Sequence, residues 1–373
     1  MATSLITVDE TKEMENVKAM GDQQQQQQQQ QSPTSATNPP LVRIGSKEAA
    51  IVTRSIKIND SIGEVKVHIQ GELDDKKAVF LTVHDIGTNS SAIKEFVDID
   101  CMVEIRLRSV FIHVDVPGQE DNANDLENFP TIQQLGEEIL LKILDELGVQ
   151  LCVGIGDGAG ANILARFGLA HPERILGLVL VNLVSAGVGF LESIKEKLFA
   201  RRRSSQQLCS EEIVAMHKFG NSHDDAMKQL IETYSNNISK INGKNLRKYM
   251  TAYMNRKEIS DLSNLDVLLV VGGRSPFVHG VEHVYSKCNK QKTSILKIDN
   301  IVDVISQCPE KLAQSLLLFV KGLGFLTSLQ LPGIQNDMGM ATMKANLAAI
   351  GRRRTLSMEE YDIPRMRRLS LTK

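Results

Sequence analysis

Glycine recurs at every second position over residues 153–161, which read Val-Gly-Ile-Gly-Asp-Gly-Ala-Gly-Ala. The stretch ends an apolar run and opens a helical run, so it predicts a strand that turns directly into a helix. A turn of this kind presents the serine nucleophile of the motif G-x-S-x-G. With Gly154 and Gly158 as the flanking glycines, the nucleophile position falls on Gly156. The pattern therefore predicts a scaffold for acyl transfer that has no nucleophilic side chain.

Serine hydrolysis also needs an acid and then a histidine, in that chain order. The acid is expected in a turn after a later strand, and the equivalent turn, residues 272–276, carries Ser275 at that place. The histidine is expected several residues before Pro309, at Val302, and the sequence has no histidine after His283. All three triad positions are vacant, which predicts a protein that is not an enzyme.

Polar residues follow two of the predicted strands close to this turn. His84 and Asp85 come after the strand at residues 78–83, where hydrolases carry a loop that helps to form an oxyanion hole. Asp157 follows the vacant position directly. We expect His84, Asp85 and Asp157 to line a polar pocket. These residues form a ligand site, supply a relocated acid–base group, or make hydrogen bonds that hold two loops in place.

Metal and cofactor sites are poorly supported. His84, His113 and the nearby acids lack any specific ligand spacing. The alternating glycines loosely resemble a dinucleotide-binding loop, but the next strand ends at Asn182 rather than at an acid. We therefore predict neither a metal nor a cofactor.

Two kinds of strand pattern follow one another along the chain. Apolar residues alternate over residues 51–58 and 64–69 around a turn cluster, which predicts an antiparallel hairpin. The later runs are continuously apolar, as in a parallel sheet covered on both faces. These runs lie at residues 78–83, 109–114, 151–155, 175–181, 267–271 and 294–298.

The fold class follows from the alternation of these strands with helical segments, of which residues 131–147 are an example. From about residue 186 to 262 the alternation stops, and charge-rich helical segments follow without a strand. We predict an α/β-hydrolase fold: a mostly parallel central sheet, helices on both faces, and a helical cap insertion. A last amphipathic helix is expected to begin at Pro309.

Three regions differ in composition. Residues 1–45 contain an uninterrupted glutamine tract, Gln23–Gln31, and are predicted to be disordered because they offer little apolar surface to bury. Residues 46–330 form the predicted α/β-hydrolase-like domain. Residues 331–373 lose the core periodicity, and the last part, 351–373, holds six arginines and one lysine against three acids. This end is predicted to be a basic, disordered tail.

Charge and cysteine content limit the classes of function. The formal net charge of −2 argues against a nucleic-acid-binding protein. The five cysteines are scattered and form no CxxC pair, which favours a reducing compartment. Residues 175–191 form the longest uncharged stretch that is also rich in apolar residues, and we interpret it as a buried strand and loop rather than a membrane span. A cytoplasmic protein is predicted.

The basic tail carries two copies of one phosphorylation pattern. Arginines stand five and three residues before Ser357, and the same spacing recurs before Ser370. Basophilic Ser/Thr kinases recognise this spacing, since their acidic pockets pair with the arginines. We predict phosphorylation at Ser357 and Ser370, with Thr355 as a neighbouring candidate. The alternatives are a solubilising tail and a tail that touches anionic lipid.

Three stretches resemble the N-myc downstream-regulated (NDRG) family, specifically an invertebrate-like member: residues 83–89, 113–119 and 154–161. The resemblance spans about residues 52–325. It implies an α/β-hydrolase fold without catalytic activity and C-terminal phosphosites of the Ser357 type. It also implies roles in differentiation, growth and stress signalling and in vesicle trafficking, in a protein that is mainly cytoplasmic and partly membrane-associated.

The leading hypothesis is a pseudoenzyme that acts as a signalling or trafficking adaptor through protein partners. A second hypothesis is a small-molecule or lipid sensor that uses an enclosed cavity under the cap. A third is a hydrolase with relocated catalytic residues, which needs His84, Asp85, Asp115 or Asp157 to converge in a cleft.

Overall fold

The computed structural model describes residues 51–73, 77–185, 210–220, 225–259 and 261–330. These residues build one eight-stranded sheet. Its strands are β1 (Ile51–Asn59), β2 (Gly63–Gln70), β3 (Ala78–Val83), β4 (Ser109–Val114), β5 (Cys152–Asp157), β6 (Ile175–Val181), β7 (Val267–Gly272) and β8 (Thr293–Ile298).

The strand order across the sheet is β1-β2-β4-β3-β5-β6-β7-β8. Strands β1 and β2 form the predicted antiparallel hairpin, and β2 pairs antiparallel with β4. Every other neighbouring pair is parallel. The predicted fold class is therefore confirmed, and the uncharged run from Ile175 begins as the buried strand β6.

Burial explains the two strand patterns. All six residues are buried in each of β4, β5 and β7, which lie inside the sheet with helices on both sides. In the hairpin strand β2, by contrast, Val65, Val67 and Ile69 are buried and alternate with more exposed residues. One face of the hairpin is therefore open to solvent.

Helices cover both faces of the sheet. On one face, Ile143, Leu164 and Phe167 belong to one apolar core; on the other, Phe96 and Leu316 belong to a second. Burial of one such side chain contributes about 1.5–3 kcal/mol. The helices are α1 (Ser90–Asp98), α2 (Val103–Leu107), α3 (Ile132–Gln134), α4 (Leu140–Glu146), α5 (Ala159–Ala170), α6 (Ser210–Phe219), α7 (Asp225–Ile238), α8 (Gly243–Met254), α9 (Val278–Lys287), α10 (Val304–Gln307) and α11 (Pro309–Gly322).

The cap helices α6, α7 and α8 lie between β6 and β7 in the chain, as the charge-rich pattern predicts. Within the described ranges, no helix has both the length and the apolar character needed to cross a membrane. The glutamine tract, residues 186–209 of the predicted cap, and Thr355, Ser357 and Ser370 all lie outside the described residues. The domain boundaries at residues 45 and 330 stay predictions.

Candidate functional site

The strand-to-helix turn after β5 is made by Gly158. Its backbone has φ 52° and ψ −109°, a combination that side-chain-bearing residues rarely adopt. This is the strained turn on which a nucleophile elbow holds its serine. The prediction that Gly156 takes the nucleophile position is wrong, because Gly156 lies within β5 and pairs with Val83 and Leu180. Alternating glycines allow two registers of the motif, and only the end of the strand distinguishes them.

The Asp85 side chain fills the space beside Gly158. A Cβ atom placed on Gly158 would overlap the Asp85 carboxylate. The Oδ1 atom of that carboxylate accepts a hydrogen bond from the backbone N–H of Ala159 at 2.8 Å. In hydrolases the N–H after the nucleophile and an N–H of the β3 loop stabilise the oxyanion. The Asp85 carboxylate therefore occupies the place of both the nucleophile and the oxyanion.

Lys218 reaches this site from the cap helix α6. Its Nζ lies 2.7 Å from Oδ2 of Asp157 and 3.8 Å from Oδ2 of Asp85. The side chain of Lys218 is only 7% exposed, so the ammonium is removed from water. Sequence reasoning missed this residue, because no motif marks a lysine in a charge-rich helical segment. The one available signal is its place between His217 and Phe219, which are both buried.

The predicted acid position, Ser275, lies just after β7 and is buried. Its Oγ donates to Oδ1 of Asn182 at 3.2 Å, and Nδ2 of Asn182 donates to Oδ1 of Asp157 at 2.9 Å. Ser275 is thus linked to Asp157 through the side-chain amide of Asn182. A hydroxyl at this position offers no charge that could orient an imidazole.

The predicted histidine position, Val302, is a buried apolar residue whose backbone N–H donates to Gln307. The next residue, Asp303, contributes a carboxylate that lines the same cavity as Asp85, Asp157 and Lys218. Ser306 donates to its Oδ2 atom at 2.7 Å. Sequence reasoning missed Asp303, since an acid before a short helix normally indicates only a helix start.

His84 holds two loops together. Its Nε2 accepts from the backbone N–H of Val116 at 2.9 Å, so Nδ1 carries the proton and donates to the carbonyl of Asp85 at 2.8 Å. Burial lowers the pKa of this imidazole. Both ring nitrogens are engaged with the backbone, which leaves no lone pair or proton for catalysis.

His113 and Asp115, the other candidates for metal or acid–base chemistry, are engaged in the same way. His113 lies within hydrogen-bond distance of Thr82 and Gln70, at 2.8 and 3.2 Å. Asp115 is bonded to His68 Nε2 and to the backbone N–H of Ser90, both at 2.8 Å. Among the residues that the structure describes, no group of three His, Cys, Asp or Glu side chains is placed to hold a metal ion.

A family model described as the Ndr family matches residues 55–327, which contain the whole sheet from β2 onward and every described residue of the site.

The chain belongs to the Ndr family.

Named relatives agree with this assignment. This Ndr-family chain is 37% identical over 322 residues to the uncharacterized protein ZK1073.1 of Caenorhabditis elegans, covering 83% of this chain and 92% of the relative. It is 31% identical to protein NDRG3 of Xenopus tropicalis, covering 80% of each chain.

Solved structures show the fold of this Ndr-family chain. An α/β hydrolase enzyme, MGS-M2, from a deep-sea metagenome library superimposes with a TM-score of 0.58 at 17% identity, covering 72% of this chain and 97% of that one. A hydrolase from Pseudomonas aeruginosa PA01 superimposes with a TM-score of 0.56 at 17% identity, covering 72% of this chain and 98% of that one. The α/β-hydrolase fold is therefore shared.

The electrostatics of this Ndr-family site are dominated by buried charge. Burial and the Asp157 carboxylate raise the pKa of Asp85 from 3.8 to about 7, against the opposing effect of Lys218. Burial also raises the pKa of Asp303. Burial alone would lower the pKa of Lys218, but the carboxylates around it outweigh this and raise it well above the ordinary value. Lys218 therefore stays charged, while Asp85 and Asp303 hold their protons more tightly than exposed acids.

A small cavity opens beside this cluster. Its volume is about 110 Å³, and it lies between α1, α7 and the loop before α10. The Tyr234 hydroxyl, on α7, donates to the carbonyl of Ile86 at 2.8 Å and closes one side. Asp85, Lys218 and Tyr234 all line this cavity.

Proposed function

We propose that this Ndr-family chain is a catalytically inactive α/β-hydrolase-fold protein. It acts through protein partners as a signalling or trafficking adaptor in differentiation, growth or stress responses. The observation that carries the proposal is the Asp85 carboxylate, which lies in the nucleophile space and accepts the hydrogen bond of Ala159. A carboxylate in this place repels both an ester carbonyl oxygen and the oxyanion that it would become, so transition-state stabilisation is lost.

The alternative of a hydrolase with relocated catalytic residues has less support. It needs a base with a free lone pair near a nucleophile. His84 is bonded through both ring nitrogens, Asp115 through both oxygens, and Asp157 to Lys218 and Asn182. His84 and Asp157 line one small cavity, but these hydrogen bonds join loops and the cap instead of activating a nucleophile.

An esterase and lipase panel on the full chain tests the inactive assignment. We expect no turnover above that of an unrelated protein purified in the same way, with a commercial esterase as positive control. Turnover that disappears with His84→Ala or Asp157→Ala would contradict the proposal. Turnover that survives both substitutions would indicate a contaminant.

Regulation is proposed to lie in the basic tail. Each phosphate adds about −1.5 to −2 charges, so two phosphates offset most of the local charge of +4. A basophilic kinase is expected to label the full chain at Ser357 and Ser370, and Ser357→Ala/Ser370→Ala is expected to lose this label. Proximity labelling in cells should then give different protein neighbours for the wild type and this variant. Identical neighbours would count against an adaptor regulated by phosphorylation.

The protein is proposed to be cytoplasmic with a membrane-associated fraction. Each basic residue near an anionic surface contributes about 1 kcal/mol, so the unphosphorylated tail favours contact with anionic vesicles. Vesicle cosedimentation before and after phosphorylation tests this contact, and phosphorylation is expected to release the chain.

A lipid sensor is less well supported than an adaptor. The cavity beside Asp85 and Lys218, at about 110 Å³, is far below the roughly 300–1,000 Å³ of ordinary ligand pockets. An acyl chain does not fit there, whereas a ligand of a few heavy atoms does.

A further inference from the structure

The cavity beside Lys218 is acidic over most of its polar surface. Asp85, Asp157 and Asp303 contribute carboxylates to it, and Glu95 lies at its exposed end. Among the described residues that line it, Lys218 alone carries a positive charge at neutral pH. When Asp85 and Asp303 are ionised, negative charge is therefore in excess even after the ion pair between Lys218 and Asp157 is counted.

Two buried carboxylate oxygens, on residues that line this cavity, have no hydrogen-bond donor within the described part of the chain. They are Oδ2 of Asp85 and Oδ1 of Asp303, and both side chains are more than nine-tenths buried. Buried acceptors normally have a partner, since leaving them unpaired costs free energy. Lys218 does not fill this role for Asp85, because its Nζ is 3.8 Å away and bonds to Asp157 instead.

We propose that this cavity binds a small protonated amine, either ammonium or a short primary alkylammonium ion. Ammonium supplies four N–H donors on one positive centre and a primary alkylammonium ion supplies three, and the two unpaired carboxylate oxygens are acceptors that lack such donors. The proposal is independent of the adaptor function.

Size and charge distinguish an amine from other ligands. A volume of about 110 Å³ corresponds to three or four water molecules at about 30 Å³ each, so an amine of about three heavy atoms fits. Ca²⁺ and Mg²⁺ take six or more oxygen ligands, and the Lys218 ammonium repels a dication about twice as strongly as a monocation. An anion is repelled by the carboxylates.

The raised pKa values of Asp85 and Asp303 agree with this geometry, since burial removes both carboxylates from water and the negative charge of Asp157 lies near them. A bound cation favours their ionised forms, so binding should release protons. Calorimetry in two buffers with different ionisation enthalpies should therefore give different apparent heats.

The test uses three probes of three heavy atoms each on the full 373-residue chain: ethylammonium chloride, ethanol and sodium formate. Saturation-transfer NMR and calorimetry at pH 7.5 should show saturable binding of ethylammonium. Ethanol, formate and equimolar sodium chloride should not bind. An equal response to ethanol or sodium chloride, or no saturable ethylammonium binding, would overturn the proposal.

Two variants locate the site. Asp303→Asn should weaken ethylammonium binding by at least about ten-fold, the loss expected when one charge-assisted hydrogen bond is removed. Ala92→Leu fills the cavity without changing its charge and should abolish binding. The matched control Glu104→Gln removes an exposed charge on α2 and should bind as the wild type does. Circular dichroism confirms folding, and undiminished binding in both site variants would place the amine elsewhere.

Discussion

Asp85 and Gly158 together decide the chemistry of the site at the scale of single residues. The glycine permits the strained turn, and its missing side chain leaves room for the Asp85 carboxylate. The carboxylate in turn takes the hydrogen bond of Ala159 that would otherwise stabilise an oxyanion. A serine introduced at Gly158 would therefore collide with the Asp85 carboxylate and would not by itself create a nucleophile site.

Neither Gly156→Ser nor Gly158→Ser is expected to create a hydrolase. A Cβ atom at Gly156 would lie 2.6 Å from the backbone nitrogen of Ala161, and one at Gly158 would overlap Asp85. We expect each variant to lose about 1–3 kcal/mol of unfolding free energy, through overpacking and backbone strain. Mass spectrometry after incubation with an activated ester should detect no acyl-enzyme. Its detection would show that a general base lies within reach.

The elevated pKa of Asp85 makes stability depend on pH. The folded value of about 7 lies above the ordinary 3.8, so the folded state binds this proton more tightly than the unfolded state. The stability of wild type relative to Asp85→Asn should therefore fall as pH rises from about 4 to about 7, by at most about 1.4 kcal/mol per pH unit, and then level off. Urea unfolding at each pH measures this difference. A difference that is flat or rises with pH would contradict the assignment.

At the scale of elements, the site depends on two close contacts: α5 against the ends of β3 and β5, and α6 against the sheet edge. Gly160 allows the first contact, because its Cβ position is taken by the carbonyl of Val83. Lys218 makes the second through its ion pair with Asp157. The first contact places the backbone of α5, and the second the charge of Lys218, at the carboxyl end of the parallel strands. Ligand and active sites of α/β folds lie at this end.

Gly160→Ala should lower the unfolding free energy by about 1–3 kcal/mol, since the backbone that it meets has little freedom to move. Gly322→Ala is the matched control. It lies at the end of α11 with nothing within 4 Å of its Cβ position, so alanine should be neutral or stabilise by up to about 1 kcal/mol. Denaturant unfolding compares the two, and equal effects would refute the close contact at Gly160.

Lys218→Met should loosen α6 more than the sheet. It leaves the Asp157 carboxylate buried without its partner, at a cost of about 3–5 kcal/mol. Hydrogen exchange should accelerate more in α6 than in β5. Lys311→Met, at an exposed position on α11, serves as the control and should change neither element. Equal acceleration in α6 and β5 would show that Lys218 supports the whole fold and not the cap.

At the scale of the whole molecule, one sheet separates two apolar cores. Leu164 of α5 lies in one core and Leu316 of α11 in the other. Because both cores share the same strands, loss of packing on either side weakens the same hydrogen-bonded sheet. The described domain should therefore unfold as one cooperative unit.

Leu164→Ala and Leu316→Ala should each lower the unfolding free energy by about 2–5 kcal/mol while leaving a single transition. Leu318→Ala on α11, where the side chain is 55% exposed, is the control and should change stability little. The chain has no tryptophan, so far-UV circular dichroism is the signal to follow. Two separate transitions in either core variant would show that the faces unfold independently.

The sequence by itself determined the sheet class, the hairpin, the order of helices and strands, and the absence of a histidine near Pro309. These features depend on the spacing of apolar residues and on residue type, and both can be read from short stretches of the chain. Motif register did not follow from the same information. Gly156 and Gly158 are equivalent in spacing, and only hydrogen bonding between β3, β5 and β6 decides where the strand ends.

Tertiary structure alone decided what occupies the vacant site. The cluster brings together Asp85, Asp157, Lys218 and Asp303 from four separate segments of the chain. Lys218 and Asp157, which form its central ion pair, are 61 residues apart. No local sequence pattern predicts this ion pair, since a lysine in a helix and an aspartate at the end of a strand are common when each is considered alone. The carboxylate beside Gly158, the buried lysine and the acidic cavity follow from packing at the carboxyl edge of the sheet.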